Sequence, residues 1–537
     1  MRLGPSKPDK GQSPGNPMAL FTFGLQGFDR VKTSLHYLIS LLAGACGVLA
    51  FAPFSFWPAY GVMICLALWQ IKRATSYTSA LKSGFALGLG FFGAGISWVY
   101  VSIASYGQVG ILLSVLITLL FVSLLASFYS AAFALTWWLQ KHLKRWPSSL
   151  LFSLSLLLCE FLRSHLFTGF PWLLPGYSLH STWAFELSSF GGIWLLSGLA
   201  ILSFSLPIGI MYEGIKKQSL ILFVLFTAWS ISLFLQLSPI QFTKEIGSLK
   251  TTLIQGNVKQ DEKWLPENAG PTLDYYQSTS LKHLDSDLII WPETAITYLH
   301  HQVKPFLSQF DQVLKETNTS LITGVPIFNQ RTNAPMGQGD FYNGLWTFGN
   351  GFGLYQKQRL VPFGEYIPLQ DYLGPIFDIF GQPMTSFKKG ETNQPSMQIG
   401  EWALSSFICY EIVYPELVRS MVRDSDILLT VSNDGWFGRS IGPLQHLQIA
   451  QFRAKESGRY LIRATNTGVT AIMNENGEIL HQLPQFQRTS MTAKVKLLSG
   501  ITPYVQYGNL IILSLLFSLI MGYFCYFSVY KRSLKSF

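Results

Sequence analysis

Ser406-Phe407-Ile408-Cys409-Tyr410-Glu411 decides the reading of this chain. Phe407 and Ile408 close a strand-like apolar run over 404–408, a thiol follows, and polar residues break the run at once. A catalytic group placed where a strand ends and a loop begins is held by a rigid element and still meets substrate. Two upstream stretches repeat the arrangement. Trp291-Pro292-Glu293 follows the apolar run 288–290, and Lys357 follows Tyr355 at the end of another strand-like run. One carboxylate, one ammonium and one thiol supply a base, a cationic stabiliser and a nucleophile. Cys409 taken alone reads as a buried structural cysteine; beside Glu293 and Lys357 it reads as the nucleophile.

The surroundings of this thiol are unusual. The chain has 537 residues, 49% hydrophobic and 15% aromatic, but only 13% charged, where a soluble domain carries about 25%. The deficit lies in 36–236 and at the C-terminal end, whereas 250–500 has ordinary globular composition. Two units follow: an apolar helical bundle and an extramembrane domain large enough for its own core. The net charge of +10 does not point to nucleic acid, because much of the basic excess sits in short loops between apolar segments. Of five cysteines, Cys46, Cys65, Cys159 and Cys525 lie in apolar segments and read as small packed hydrophobes. Only Cys409 falls in the extramembrane domain, so that domain has no internal disulfide. No CxxC or His-rich spacing suggests a metal, and no cofactor is expected.

Eight apolar spans are expected, at 36–54, 57–71, 83–104, 109–139, 148–166, 186–212, 218–236 and 508–530, each near the roughly 20 residues that a bilayer requires. Lys72, Arg73 and Lys82 follow the second; Lys141, Lys144 and Arg145 the fourth; Lys216 and Lys217 the sixth; Lys531, Arg532 and Lys535 the eighth. The loops after the first and third carry no Lys or Arg. This alternation puts both termini in the cytoplasm and the thiol domain outside. The organisation is then a polar N-terminal tail (1–35) that reads as disordered, with no cleavable signal peptide, seven spans (36–240), a catalytic domain (248–500) and a last span (506–531). After the fifth span, Phe167-Thr168-Gly169-Phe170-Pro171-Trp172 reads as an interfacial anchor or as the lining of a lipid-access path. Glu160 and Arg163 share a helix face there, as an ion pair at a helix end or as a functional charge.

Within the extramembrane domain, 252–255, 288–290, 321–325, 404–408 and 427–431 read as strands buried on both faces. Residues 344–348 and 352–355 flank Gly349-Asn350-Gly351 as a hairpin, and 468–473 with 478–482 form another. Helical spacing over 414–422 and 444–457 completes an α/β domain.

Trp291-Pro292-Glu293, Leu360-Val361-Pro362-Phe363-Gly364-Glu365-Tyr366, Ile408-Cys409-Tyr410-Glu411 and Ser432-Asn433-Asp434-Gly435-Trp436-Phe437-Gly438 resemble the nitrilase superfamily. Its domain is a four-layer αββα sandwich with a Glu-Lys-Cys triad. The eight spans, the Phe167–Trp172 motif, and Gln445-His446-Leu447 leading into Arg463-Ala464-Thr465-Asn466-Thr467-Gly468 narrow this further. The chain is similar to the bacterial apolipoprotein N-acyltransferases over nearly its whole length, outside an N-terminal tail of some 30 residues.

That resemblance implies roles. Cys409 is the nucleophile, Glu293 the general base and Lys357 the oxyanion stabiliser, with a backbone N–H near Tyr410 as second donor. Glu365 orients Lys357 or assists proton transfer; a structural ion pair is the plainer alternative. Tyr410 and Glu411 surround the site. Trp264, Trp436 and Phe437 serve the acyl pocket or loop closure, or pack as ordinary core. His446 reads as structural. The implied reaction moves an acyl chain from a phospholipid donor to the α-amine of S-diacylglyceryl-cysteine in an apolipoprotein, at the bacterial inner membrane with the catalytic domain periplasmic. A membrane-tethered amidase or hydrolase is the alternative, and a transporter with a ligand-binding domain a more distant one.

Overall fold

Inside a bilayer a polypeptide must satisfy its backbone polar groups internally, so apolar runs of this length fold as helices. The computed structural model describes residues 34–106, 110–331, 338–362, 364–366 and 387–533. The polar tail therefore lies outside the described residues, apart from its last two positions. The apolar region forms α1 (Ser34–Ala50), α2 (Pro58–Arg73), α3 (Tyr77–Gly95), α4 (Trp98–Tyr106), α5 (Ile111–His142), α6 (Ser148–His165), α7 (Ser188–Glu213) and α8 (Ile215–Leu237), with a last helix at Leu510–Ser533. All eight expected spans are helical. Among the described residues, four helices (α5 to α8), or five if α3 and α4 form one broken span, are long and apolar enough to cross a membrane, against the eight spans expected from the sequence. Cys159 is buried and Cys65 half-buried, but Cys46 and Cys525 lie on outward faces. An apolar surrounding accepts a thiol as readily as a core does.

The third expected span, 83–104, is not one straight helix: α3 and α4 meet at a 60° bend. Glycines weaken the helix at this point, including Gly93 and Gly95. The Gly95 carbonyl, freed from the helical ladder, accepts a hydrogen bond from Gln445 Nε2 at 3.1 Å. That glutamine belongs to the α/β domain, so the bend is one of the places where the two units are pinned together.

The catalytic domain has two sheets. One runs β13-β1-β2-β3-β4-β6 and the other β12-β11-β10-β9-β8-β7-β5. The strands are β1 (Thr243–Gln255), β2 (Leu288–Ile290), β3 (Ser320–Gln330), β4 (Gly339–Gly349), β5 (Gly351–Phe352), β6 (Leu354–Gln356), β7 (Met397–Ile399), β8 (Trp402–Ile408), β9 (Ile427–Ser432), β10 (Leu461–Thr465), β11 (Ala471–Met473), β12 (Ile479–Gln482) and β13 (Thr489–Gly500). Side chains alternate between sheet faces, and the cores follow that period. Leu288 and Ile290 of β2 meet Ile427, Leu429 and Val431 of β9 between the sheets. Ile289 turns the other way, toward Leu307 and Phe310 of the helix His300–Glu316. On the second sheet, Phe407 and Leu428 turn outward into a core shared with the apolar helices. The layers are helix, sheet, sheet, helix.

The expected hairpin around Gly349-Asn350-Gly351 is only partly a hairpin. Residues of β6 pair with β4, but Gly351 and Phe352 pair with β7 in the other sheet. Gly353, at φ +137°, carries the chain from one sheet to the other, a conformation open to glycine.

Candidate active site

The site gathers at the ends of β2, β6, β8 and β9. Ile408 closes β8, and Cys409 then takes φ +52°, a left-handed conformation that costs an L-residue about 1–2 kcal/mol. Two groups hold this turn. Glu411 is buried, and its Oε2 accepts from Ile408 N at 2.8 Å and from the Tyr355 hydroxyl at 2.9 Å. Its Oε1 accepts from Gln358 N at 2.6 Å and Arg359 N at 3.0 Å. One carboxylate thus fastens the thiol turn to the segment that carries Lys357. Burial pushes the Glu411 carboxyl up to about 7, against these N–H donors and Lys357.

From the other side His446 Nε2 donates to the Cys409 carbonyl at 3.1 Å. Its Nδ1 lies 3.1 Å from Arg463 Nη2, which can only donate, and 3.3 Å from Asp434 Oδ1, which can only accept. The Cys409 carbonyl can only accept, which requires the proton on Nε2, and burial together with Arg463 holds His446 below its ordinary range. Arg463 also pairs with Asp434 at 2.6 Å. Burial opposes the Asp434 charge, but Arg463 outweighs it and keeps this carboxylate well below the usual range.

Glu293 projects from the turn after β2. An added Cβ on Gly324 would lie 2.2 Å from Thr294 N and 2.6 Å from Pro292 O, so glycine is what lets this turn sit against β3. Glu293 Oε1 accepts from Asn343 Nδ2 at 2.8 Å, and Oε2 from Asn433 N at 2.8 Å. Lys357 Nζ lies 3.6 Å from Glu293 Oε1 and 2.9 Å from Glu365 Oε1. Burial works against the Lys357 charge, yet Glu365 and Glu293 outweigh it and hold the ammonium above its usual range. For Cys409, burial and then Glu293 push the thiol up to about 12, with Lys357 and the Ser432 hydroxyl opposing. At neutral pH Cys409 is therefore a thiol, and a thiol becomes a strong nucleophile only when a base removes its proton.

Glu293, Lys357, Cys409, Glu365 and Glu411 thus converge. Tyr410 joins them from the membrane side. Its hydroxyl donates to the Gly169 carbonyl at 3.3 Å, and Tyr414 donates to Thr168 O and Gly169 O at 3.2 Å each. The same 167–172 loop is held from below by Arg163, which donates to Phe170 O and forms a buried pair with Glu160. Phe437 is buried, edge-on to Trp98 at 4.6 Å, and also lies near Trp172 and His446. Trp436 is partly exposed and accepts from Ser102 through its carbonyl. Trp264 is half exposed.

Two residues escaped the sequence reading. Asn343 Nδ2 bridges Glu293 Oε1 and Glu365 Oε1, at 2.8 and 3.0 Å. Lys263, beside Trp264, is buried and donates to Glu293 O and Thr294 Oγ1. Neither stands in a pattern that separates it from an ordinary strand amide or surface lysine.

Comparison with known proteins agrees along the chain. The family model described as apolipoprotein N-acyltransferase N-terminal domain matches residues 43–206, and the carbon-nitrogen hydrolase model matches 250–500. A protein named apolipoprotein N-acyltransferase from Pseudomonas aeruginosa (strain LESB58) is 42% identical over 479 residues, 88% of this chain and 92% of its own length. Proteins of the same name from Azotobacter vinelandii and Photobacterium profundum are 39% and 37% identical, each over 88% of this chain and 91% of their own. Among solved structures, a carbon-nitrogen hydrolase from Helicobacter pylori G27 matches 46% of this chain and 89% of its own at 15% identity, with a TM-score of 0.35.

Proposed function

The chain belongs to the apolipoprotein N-acyltransferase family, and from that premise we propose that it moves an acyl chain from a phospholipid to the α-amine of S-diacylglyceryl-cysteine through a thioester on Cys409. The observation that carries this reading is the placement of a base-flanked buried thiol against a loop of the apolar helices, joined by Tyr410 and Tyr414. A small soluble substrate would not need that junction; a lipid ester does.

Glu293 takes the Cys409 proton as sulfur attacks the ester carbonyl. The carbonyl oxygen becomes an oxyanion, and Lys357 stabilises it. The intermediate collapses, the C–O bond breaks, and the lysophospholipid oxygen leaves with the proton held by Glu293. The acyl group now sits on sulfur. In the second half the neutral α-amine attacks the thioester and gives its proton to Glu293. Collapse of that intermediate forms the amide, expels the Cys409 thiolate, and the thiolate recovers the proton from Glu293. Glu365 and Asn343 keep Lys357 and Glu293 in register through both halves, while Glu411 holds the Lys357 segment to the thiol turn. Exclusion of water by the aromatic surround keeps the thioester for the amine. The protein works at the bacterial inner membrane, with the catalytic domain on the periplasmic side and both termini cytoplasmic.

The test uses purified full-length protein with a labelled phospholipid, then a diacylated lipopeptide. One acyl group is expected on Cys409 with phospholipid alone, removable by neutral hydroxylamine and discharged into N-acylated lipopeptide. Discharge mainly to free fatty acid would make the protein a hydrolase, and transfer without any adduct would exclude the thioester.

A further inference from the structure

The reaction above uses one lysine, but the site holds a second. Lys263 lies in the loop between β1 and the helix Pro266–Ser280, and its side chain runs inward until the residue is 4% exposed. Its Nζ donates to the Glu293 carbonyl at 3.0 Å and to Thr294 Oγ1 at 2.7 Å. Thr294 is itself strained, at φ +44°, so the ammonium grips a turn that would otherwise relax.

The loop does not need this lysine for its own anchorage. Asn257 N donates to Asn466 O, Val258 N to Asn466 Oδ1, and Asn466 Nδ2 back to Val258 O, all between 2.7 and 2.9 Å. Its two hydrogen bonds go instead to the turn that carries the base. A neutral donor could satisfy a carbonyl and a hydroxyl, whereas burying an ammonium carries a large desolvation penalty. The charge itself therefore has a use.

The charges around it show what that use is. From β2 comes Glu293; from the segment after β6 come Lys357 and Glu365; from β8 comes the Cys409 thiol. On the far side Asp434 and Arg463 are paired with each other around a neutral His446, and Glu411 is satisfied by four donors. Without Lys263 the reacting centre has two carboxylates and one ammonium. With it the charges balance. Burial lowers Lys263 to about 8, with Glu293 and Cys409 opposing, so it is still mostly charged at neutral pH.

We propose that Lys263 is a positioning residue for acyl-enzyme formation: it locks the Glu293–Thr294 turn, and its charge balances the second carboxylate beside the thiol. The proposal rests on Glu293 as base and Cys409 as nucleophile. The test follows single-turnover transfer from a fluorescent phospholipid to Cys409 in full-length protein between pH 5 and 9. K263Q keeps a donor for the Glu293 carbonyl but loses the charge. A nearby cation favours an ionised carboxylate, so without it the base takes up a proton at higher pH. The acidic limb of the K263Q rate profile is expected to move up by about half a unit or more, with a loss of about threefold or more on that limb. K263R, which restores the charge, is expected to bring the limb back even if the rate stays reduced. A folded K263Q with an unmoved limb would overturn the proposal, as would failure of every uncharged variant to fold, since the lysine would then serve only the fold. C409A and E293Q run alongside. If either still forms acyl-enzyme normally, the fault lies with the assigned base or nucleophile and not with Lys263.

Discussion

Glu365→Gln tests how the site shares one ammonium between two carboxylates. Lys357 lies 2.9 Å from Glu365 and 3.6 Å from Glu293. At an effective dielectric of about 20 these attractions are about 6 and about 5 kcal/mol. Lys357 is thus held nearly evenly, which leaves it free to face a developing oxyanion. A glutamine at 365 keeps the shape but only one oxygen, which can still accept from Val361 N, while its amide nitrogen replaces the oxygen that Asn343 Nδ2 and Lys357 share; the anchor to the 361 backbone stays, so the local fold should survive. The ammonium then belongs to Glu293 alone. Closing that pair from 3.6 to 2.9 Å adds about 1 kcal/mol, and Glu293 takes the thiol proton several-fold less readily. The drawn-in Lys357 also leaves the oxyanion, and loss of such a donor costs about 10²–10³ in rate. Acylation of Cys409 in E365Q is therefore expected to fall by at least about 10²-fold, with an unchanged melting temperature. The assay is single-turnover transfer from labelled phospholipid, read as intact mass. A folded E365Q that acylates within twofold of wild type would refute this charge-sharing argument and leave Glu365 a structural partner.

Other outcomes follow from the same geometry. Gly324→Ala would drive a methyl against the backbone of residues 292–294; a displaced Glu293 turn and loss of acylation are expected, and normal turnover would show that the turn can shift. Glu456 accepts from Ile193 N at 2.8 Å and pairs with Arg453, and burial pushes its carboxyl up to about 7. The folded state then binds that proton more tightly than the unfolded chain, so stability from this group is present below about 4.5 and lost as pH rises through about 7. The melting temperature of E456Q relative to wild type should accordingly be higher at pH 8 than at pH 5; no pH dependence in that difference would contradict it. A periplasm-active reporter fused near Lys250 should be active and one fused after Arg145 inactive; the reverse would place the thiol in the cytoplasm.

The sequence was most legible where side-chain type and local period carried the signal. The apolar stretches are helices, the two-face-buried runs are inner strands, and Glu293, Lys357 and Cys409 sit at strand ends. It was least legible where a distant partner decides the conformation. The glycines of 83–104 permit a bend without fixing it at Gly95, because the group that captures the freed carbonyl is Gln445, 350 positions away. The switch of Phe352 between sheets depends on a pairing with β7 that no local pattern encodes. Lys263 looked like one more member of a charged loop, and only the fold turns it inward to Glu293. Glu411 was legible as a neighbour of the thiol, but its four donors from two segments were not. Long-range satisfaction of buried polar groups is a property of the folded chain, and a single sequence lists the donors without saying where they end up.

The helix Gly442–Ser457 buries fourteen of its sixteen residues, and that bears on how the molecule is made. Its Gln445 accepts from Trp98 and Trp172, Gln448 accepts from Ala52 N, and Lys455 reaches Glu186. All of these partners precede it in the chain. A ribosome therefore completes the receiving surface before it makes the helix that fills it, and the apolar flank never has to wait in water. A fragment covering 248–500, synthesised alone, has no such surface. It would carry Phe437 and Phe452, which pack on Trp98, Trp172, Tyr177 and Phe185, outward, a patch of the kind that drives association, and should precipitate although its two sheets are complete. Supplying the N-terminal helices as a separate chain should recover soluble material only if they are already assembled when the fragment emerges.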